Sequence, residues 1–389
     1  MKRILSRLNI EKIGLLEIML ALYPIISGYQ YGFIPMSLVW LLVMDAVAMT
    51  KKRQRLQEKL LMVVFLFVLL HEIVVWVITG FPSTHLNFIL STSICLFSIF
   101  IIAPVLQYDR LEGSLFLVGY ISCIGLLYHF GLLLSGESIS PIRLPFLPAP
   151  DMDSRLYEVS DRPCSFYWEP ASFVTFMMIP LFISMIKKRW VILVFILLCI
   201  FLSTSTNGII LAPCMILVYV LMARQKTFSR VFVAVMLFGM VFLLFNSNFF
   251  EMGIDKLTNT NVESNVRTSN GPWLISHMPA EHIFFGLPTH TVEEYVDMGF
   301  VSNERVRSHG GMFLSDFWLV WASYGIIGLV LYIISYIQFA YRERTLWPYI
   351  AVLLIALFSQ SLSFRPLYVY QLCFILCYLR NQQLFRLEK

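Results

Sequence analysis

Charged residues are scarce in this chain: Asp, Glu, Lys and Arg make up 14% of its 389 residues, against about 25% in an average soluble domain. Hydrophobic residues make up 58%, and the mean hydropathy is +0.74. A soluble chain of this length cannot bury so much apolar surface. The composition therefore excludes a soluble enzyme, a nucleic-acid-binding protein and a disordered scaffold, and it predicts an all-α integral membrane protein.

Several sequence motifs that mark redox, nucleotide-binding or metal-binding sites are also missing. The sequence has no Cys-x-x-Cys pair, no Walker motif and no glycine-rich dinucleotide fingerprint, so neither a redox centre nor a nucleotide site is indicated. Of the seven cysteines, Cys164 alone lies outside an apolar stretch, where it has no second cysteine for a disulfide. His277, Glu281 and His282 are close in sequence but lack the spacing of a recognised zinc motif. We therefore predict no metal and no cofactor.

Long apolar runs, in contrast, are frequent. A transmembrane helix needs about 20 mainly apolar residues. Twelve stretches fit this pattern, some of them short: 13–29, 31–49, 60–80, 86–106, 114–135, 170–186, 190–203, 207–223, 231–246, 312–340, 346–363 and 366–380. The sequence thus predicts a single polytopic membrane domain over residues 1–389, with about 12 transmembrane helices and two larger outer loops at 136–169 and 246–311.

The basic residues set the predicted orientation. If both termini are cytoplasmic, 21 of the 29 Lys and Arg residues lie on the cytoplasmic side and 8 on the outer side, as the positive-inside rule requires. Successive loops alternate between the two sides of the membrane. With an odd number of spans the two termini would lie on opposite sides, and the basic clusters would no longer fall together on the cytoplasmic side. Lys2 and Arg3 precede an apolar run that resembles a signal peptide, but no small-x-small cleavage site follows, so we expect a retained first helix.

The two outer loops hold most of the polar chemistry. They contain 14 of the 24 acidic residues, seven of the eight outer basic residues and four of the seven histidines. Loops of this length are usually functional or disordered, whereas transporters concentrate polar residues inside the spans. The distribution favours chemistry at the outer membrane face on a lipid-borne substrate. Glu17, Asp45 and Glu72 lie on predicted spans, where they can pair internally, and they are the best support in the sequence for a transport function.

The first outer loop is rich in proline and ends in Arg162, the aromatic run 166–168 and Glu169-Pro170. The aromatic residues are typical of a membrane interface. Pro170 can open a helix, and a carboxylate just before it would be stabilised by the helix N-terminus. Glu169 is therefore either a helix cap, which the local sequence favours, or a general base held at the membrane edge.

The second outer loop contains Arg267, a candidate for binding phosphate oxygens. A short helix is predicted to start near Pro272 and to stop before Pro279, with Arg267 just ahead of it. Helix N-termini and arginine side chains both suit phosphate, although an arginine at the lipid headgroups is common. Residues 284–288 are predicted to form a turn packed on the membrane.

The second loop closes with Arg305, Arg307 and His309, and Asp316 follows seven residues after the histidine. On one helix that spacing puts both side chains on the same face. Asp316 would then either orient the imidazole for catalysis or form a polar pair with it that stabilises the fold. The sequence leaves both alternatives open.

Four local patterns follow one another between residues 114 and 363. They are Arg162 followed by aromatics and Glu169-Pro170, the Ser/Thr-rich turn 203–208, Arg267 followed by 284–286, and His309 leading into 321–328. In their order along the chain and in their predicted side of the membrane, these patterns resemble those of the Wzy-type O-antigen and capsular polysaccharide polymerases and the related O-antigen ligases. Those families are multi-spanning proteins of the bacterial inner membrane with two prominent periplasmic loops.

The resemblance implies glycosyl transfer at the periplasmic face without a nucleotide sugar, ATP or a metal. The donor would be a glycan on undecaprenyl pyrophosphate, and the acceptor would be a sugar hydroxyl of another lipid-linked repeat unit. Catalytic roles would fall to Glu169, His309 and Asp316. Binding of the pyrophosphate or the glycan would fall to Arg162, Arg267, Arg305 and Arg307, since guanidinium groups match phosphate geometry.

The resemblance also implies partners. They are the undecaprenyl-pyrophosphate-linked oligosaccharide, membrane lipids, and a chain-length regulator and a flippase of the same pathway, but no nucleic acid. The closest alternative function is an O-antigen ligase, which transfers the glycan to lipid A-core. An alternative of another class is a flippase or transporter of lipid-linked sugars.

Overall fold

The chain folds as a bundle of helices. The structure, a computed structural model, describes residues 13–31, 34–52, 58–145, 147, 162–222, 266–301, 314–360 and 363–387. Helices make up 77% of this part of the chain. Its sheet is one antiparallel ribbon, β1 (Gln30–Tyr31) with β2 (Ile34–Pro35). The predicted all-helical class is confirmed for these residues.

The described α-helices correspond closely to the predicted apolar stretches. In chain order they are α1 (Leu15–Ile26), α2 (Met36–Met49), α3 (Lys59–Ile78), α4 (Ser83–Ile102), α5 (Tyr108–Leu134), α6 (Pro170–Ile186), α7 (Trp190–Leu202), α8 (Thr206–Met222), α9 (Val266–His277), α10 (Ala280–Phe285), α11 (Val292–Asp297), α12 (Asp316–Arg342), α13 (Trp347–Ala356) and α14 (Pro366–Leu387). Each predicted stretch overlaps one of these helices, except that the stretch 231–246 lies outside the described residues.

The predicted number of spans is confirmed only in part. In the described part of the chain, four helices are long and apolar enough to span a membrane: α3, α4 with its 3-10 extension to Val105, α5 and α12. The shorter apolar helices there have 10–17 residues. A straight helix needs about 20 residues to cross a hydrocarbon core of about 30 Å. A count of 12 spans is therefore not confirmed.

Burial differs between the central and the peripheral helices. α6 is buried on nearly every side, from Pro170 to Met185, and it packs against α5, α7 and α8. α3 buries one face, which includes Val64 and Val68, while its other face is exposed and equally apolar. On that face Leu70 is 61% exposed. An exposed apolar helix face of this extent indicates contact with lipid or with a partner helix.

Ion pairs join helix ends on the side that the sequence predicts to be cytoplasmic. Glu112, in the first turns of α5, pairs with Lys187 just after α6 and with Arg189 at 2.9 Å. Arg342 at the end of α12 pairs with Glu58, ahead of α3, at 2.5 Å. The basic residues that determine the predicted orientation thus also connect neighbouring helices.

Residues 266–301 form a helical cap on α12. The helices α9, α10 and α11 share a small core that contains Leu274 and Tyr295 and that includes Ala322 of α12. The helix α9 begins at Val266 and continues through Pro272, so the predicted start near Pro272 is wrong. A proline inside a helix is unfavourable locally, but the packing of α9 against α12 outweighs this preference.

Candidate functional site

A cavity of about 730 Å³ lies where α2, α3, α4, α6, α11, α12 and α14 approach one another. This volume is within the range of about 300–1,000 Å³ that is typical of ligand sites. Its polar wall consists largely of hydroxyl and amide groups, among them Ser37, Ser91, Thr92, Ser172, Thr175, Asn207, Ser323 and Gln360. Such groups both donate and accept hydrogen bonds, so the wall suits a neutral polar ligand such as a sugar.

Ionisable side chains reach this cavity from several helices. Glu72 of α3, Glu169 ahead of α6, His290 ahead of α11, Glu293 of α11 and Arg365 ahead of α14 all line it. Arg365 was not selected from the sequence as a site residue. Of the eight basic residues predicted on the outer side, it is the one that lies in neither long loop. The predicted orientation could therefore have identified Arg365 as a candidate cation.

Glu169 occupies the N-cap position of α6, as the local sequence predicts, but its side chain does not cap the helix. Its backbone is extended, and its carboxylate makes no capping hydrogen bond to the first turn. The backbone carbonyl of Glu169 instead accepts from the amides of Ser172 and Phe173. The side chain lies on the cavity wall. The carboxylate therefore borders a space large enough for a ligand.

The aromatic run before Glu169 is only partly an interface belt. Trp168 is 39% exposed, lines the cavity and donates a hydrogen bond from Nε1 to Ser172 Oγ. Tyr167 is 1% exposed, and its hydroxyl lies 3.2 Å from that of Ser122 on α5. The interface interpretation is therefore wrong for Tyr167, because its hydroxyl has a partner inside the bundle and its ring can be buried there.

Arg162 lies outside the cavity wall and binds the Ser/Thr-rich turn. Its Nη2 donates to the carbonyl oxygen of Thr204 at 2.8 Å, and its Nε donates to Thr204 Oγ1 at 3.4 Å. Burial lowers the pKa of the Arg162 guanidinium, whereas the negative charge of Glu169 raises it. Two of the four sequence patterns thus meet in space, and Arg162 fixes the turn that precedes Asn207, a residue of the cavity wall.

Asp316 is buried at the start of α12 and holds a turn. Its two carboxylate oxygens each accept from the backbone N–H of Ser363 at 3.0 Å. Ser315 has extended backbone, so α12 begins at Asp316. The expected helical spacing from His309 to Asp316 is therefore wrong. These contacts of Asp316 hold the turn at Ser363, whereas both predicted roles of its pairing with His309 stay predictions because His309 lies outside the described residues.

The remaining predicted site residues are described partly or not at all. Arg267 lies in the first turn of α9, but its side chain lies outside the described part of the structure. Arg305, Arg307 and His309 lie outside the described residues. Their roles in binding or catalysis stay predictions.

The other two sequence patterns interlock at two glycines. The helix α12 is interrupted at Gly325, where φ is +67°, and the end of α10 fits into the interruption. A Cβ atom on Gly325 would lie 2.1 Å from the carbonyl oxygen of Phe284, and one on Gly286 would lie 2.2 Å from that of Ser323. Residues 284 and 285 thus end the helix α10 rather than opening a turn, and the turn that follows them packs on the broken helix α12, where the sequence predicted packing on the membrane.

A cluster of Glu72, His85 and His290 borders the same cavity and was not predicted. Glu72 Oε2 lies 2.8 Å from His85 Nε2, and the hydroxyl of Tyr324 donates to Glu72 Oε1 at 2.7 Å. The ring of His290 stacks on that of His85, with 4.4 Å between the ring centroids. These residues are far apart in sequence, so no local motif could have linked them.

The acidic residues on the predicted spans have hydrogen-bond partners inside the bundle. Glu17 Oε1 accepts from the backbone N–H of Gln107 at 3.0 Å. Asp45 Oδ2 accepts from the hydroxyl of Ser98 at 2.6 Å. Together with the contacts of Glu72, these hydrogen bonds give each buried carboxylate a partner, as buried polar groups require.

His277, Glu281 and His282 are close in sequence, but the Nδ1 atoms of the two histidines make separate contacts. His277 Nδ1 donates to the carbonyl oxygen of Trp273 at 2.7 Å. His282 Nδ1 lies 2.8 Å from the hydroxyl of Tyr295. The first contact lies within α9 and the second joins α10 to α11, so neither brings the three side chains together.

No protein-family model matches this chain, and no curated protein matches its sequence. The chemistry of the site is therefore inferred from its geometry. A carboxylate on a wall of hydroxyl and amide groups can take a proton from a bound hydroxyl. A guanidinium on the same wall can bind a phosphate or another anion.

Proposed function

We propose that this protein polymerises oligosaccharide repeat units linked to undecaprenyl pyrophosphate into an O-antigen or capsular polysaccharide. The reaction takes place at the periplasmic face of the bacterial inner membrane. The observation that carries the proposal is that Glu169 and Arg365 line one cavity of about 730 Å³. The resemblance of the four sequence patterns to the polymerases supports it independently.

The transfer step needs a base and a set of cations. Glu169 accepts the proton of the acceptor hydroxyl. The acceptor oxygen then forms a bond to the anomeric carbon of the donor, and the bond from that carbon to the pyrophosphate oxygen breaks. Arg365, with Arg267, Arg305 and Arg307 of the second loop, stabilises the negative charge on the departing pyrophosphate. The activated donor supplies the driving force, so this step requires neither ATP nor a nucleotide sugar.

The surroundings of the cavity suit a substrate with a polar head and a lipid tail. The hydroxyl and amide groups of the wall offer hydrogen bonds to sugar hydroxyls. Helix α3 contributes Glu72 to this wall, and its opposite face is exposed and apolar. A polyprenyl chain can therefore remain in lipid beside the bundle while the sugar occupies the cavity.

The test uses a strain from which the gene is deleted. The strain is complemented with wild type, Glu169→Gln, Arg365→Ala or Glu137→Gln, and its surface glycans are separated on a silver-stained gel. Glu137 is an exposed glutamate of the first loop, so Glu137→Gln is the matched control. We expect the deletion strain to stop at a single repeat unit. The control should restore the polymer ladder, whereas Glu169→Gln and Arg365→Ala should not.

Other outcomes identify the alternatives. An undecaprenyl-linked polymer that is not attached to the lipid core would indicate a ligase. A protein that tolerates Arg365→Ala but is inactivated by Asp45→Asn would be a transporter, since that function depends on carboxylates inside the spans. A ladder unchanged by the deletion contradicts both glycosyl-transfer functions.

A further inference from the structure

We propose that Glu72, His85 and His290 bind a divalent transition-metal ion of the zinc class at the wall of the cavity. The three residues come from α3, from α4 and from the segment between α10 and α11. One ligand atom of each lies within 4.8 Å of the other two. The inference goes beyond the proposed glycosyl transfer, which requires no metal.

The donor set matches the proposed ion. Two imidazole nitrogens and one carboxylate oxygen are ordinary zinc ligands, and three protein ligands leave a fourth position open. Glu72 and His290 line the cavity. The open position would therefore point toward the cavity, where a water molecule or an oxygen atom of a ligand can complete the coordination.

Burial provides an independent reason for a bound cation. Glu72 is 5% exposed and His85 is fully buried. The described ion pair of Glu72 is with His85, not with a lysine or arginine. The Nδ1 atoms of His85 and His290 are buried and have no hydrogen-bond partner among the described residues. Buried polar atoms without a partner are rare and unfavourable. Coordination of an ion through His290 Nδ1 would give that atom a partner, while His85 would bind through Nε2, the nitrogen that faces Glu72.

Binding requires a small rearrangement of His290. The rings of His85 and His290 are nearly parallel, at 15°, whereas a shared ion must lie in the plane of each ring. Ligand atoms in a tetrahedral zinc site are about 3.4 Å apart, as bonds of about 2.0–2.1 Å require. His290 lies outside the helices, and its Nδ1 makes no hydrogen bond that a rotation would break.

One contact prepares the cluster for a metal. The hydroxyl of Tyr324 donates a hydrogen bond to the second oxygen of Glu72, and contacts of this kind orient a metal ligand.

Metal binding is measured directly on the purified full-length protein in detergent. After treatment with a chelator, the protein is titrated with Co²⁺ and followed by visible ligand-field absorption, and zinc content is determined by mass spectrometry. We expect one equivalent of metal per chain. His290→Asn should weaken binding by at least about tenfold, since even loss of a residue that orients a ligand costs about 10–100-fold in affinity.

His282→Asn is the matched control, because His282 is a histidine of the cap with a tyrosine partner, and it should bind as wild type does. Tyr324→Phe keeps the ring and removes the hydroxyl, so it should fold and bind about tenfold more weakly. Less than one equivalent in wild type, or equal affinity in His290→Asn and wild type, contradicts the proposal. No lipid-linked substrate is used, so this result is independent of the glycan test.

Discussion

At the scale of single residues, Arg162 shows how a side chain with one predicted role can have another. Its sequence context predicts a phosphate-binding cation. In the structure, two of its donors bind the backbone and the hydroxyl of Thr204. A charged donor on a partly buried carbonyl oxygen contributes about 1.5–3 kcal/mol. Arg162 is therefore a positioning residue that connects the end of the first loop to the turn before α8.

Loss of this contact should expose Cys164. In wild type, Cys164 is 2% exposed, and burial raises the pKa of its thiol to about 12, so the thiol is protected and almost entirely protonated at neutral pH. We expect Arg162→Ala to increase the rate at which a membrane-impermeant maleimide labels intact spheroplasts. The Cys164→Ser variant shows which part of the label is on Cys164. Equal rates in Arg162→Ala and wild type would show that Arg162 does not hold the segment.

At the scale of elements, the break in α12 determines where the cap sits. Gly325 has a positive φ inside an otherwise continuous helix, and the carbonyl oxygen of Phe284 lies 2.1 Å from the position that a Cβ atom would take there. Tyr324, directly before the break, binds Glu72 on α3. The interruption therefore joins the cap, α12 and one wall of the cavity, and a change there should affect all three.

Gly325→Ala should destabilise the protein much more than Gly136→Ala. Both glycines have a positive φ, but a Cβ on Gly136 meets nothing within 4 Å. The control therefore measures only the backbone strain of about 1–2 kcal/mol, whereas Gly325→Ala adds a collision with backbone atoms. Thermal unfolding in detergent, with the monodisperse yield from gel filtration, compares the two. Equal melting temperatures for the two variants would contradict the interlocked arrangement.

At the scale of the whole molecule, polarity is separated along the bundle. The ion pairs of Glu112 and Arg342 join helix ends on the predicted cytoplasmic side. The cavity is lined by Glu169 and Arg365, which the sequence places on the outer side, and it extends between the predicted spans as far as Cys95 of α4. Between these two regions lie apolar helices, four of which in the described part of the chain are long and apolar enough to span a membrane.

The predicted orientation can be tested with single introduced cysteines. Asp297 and Arg344 are exposed and lie on opposite predicted sides. All seven natural cysteines are free, and six are buried, so they give little background with an impermeant reagent. Asp297→Cys should be labelled in intact spheroplasts, and Arg344→Cys only after permeabilisation. The reverse pattern would invert the orientation and place the cavity on the cytoplasmic side.

The sequence by itself determined the helical class of this protein, the presence of apolar helices that could span a membrane, and most helix positions, since apolar runs can be read one residue at a time. It also identified Glu169 as a candidate site residue, although the local sequence favoured a role as the N-cap of a helix. Only the tertiary structure decided that Glu169 borders a cavity, that Arg162 binds Thr204, and that Tyr324 binds Glu72, 252 positions away. Such contacts depend on how helices pack across the whole chain, and this information is absent from local propensity and spacing.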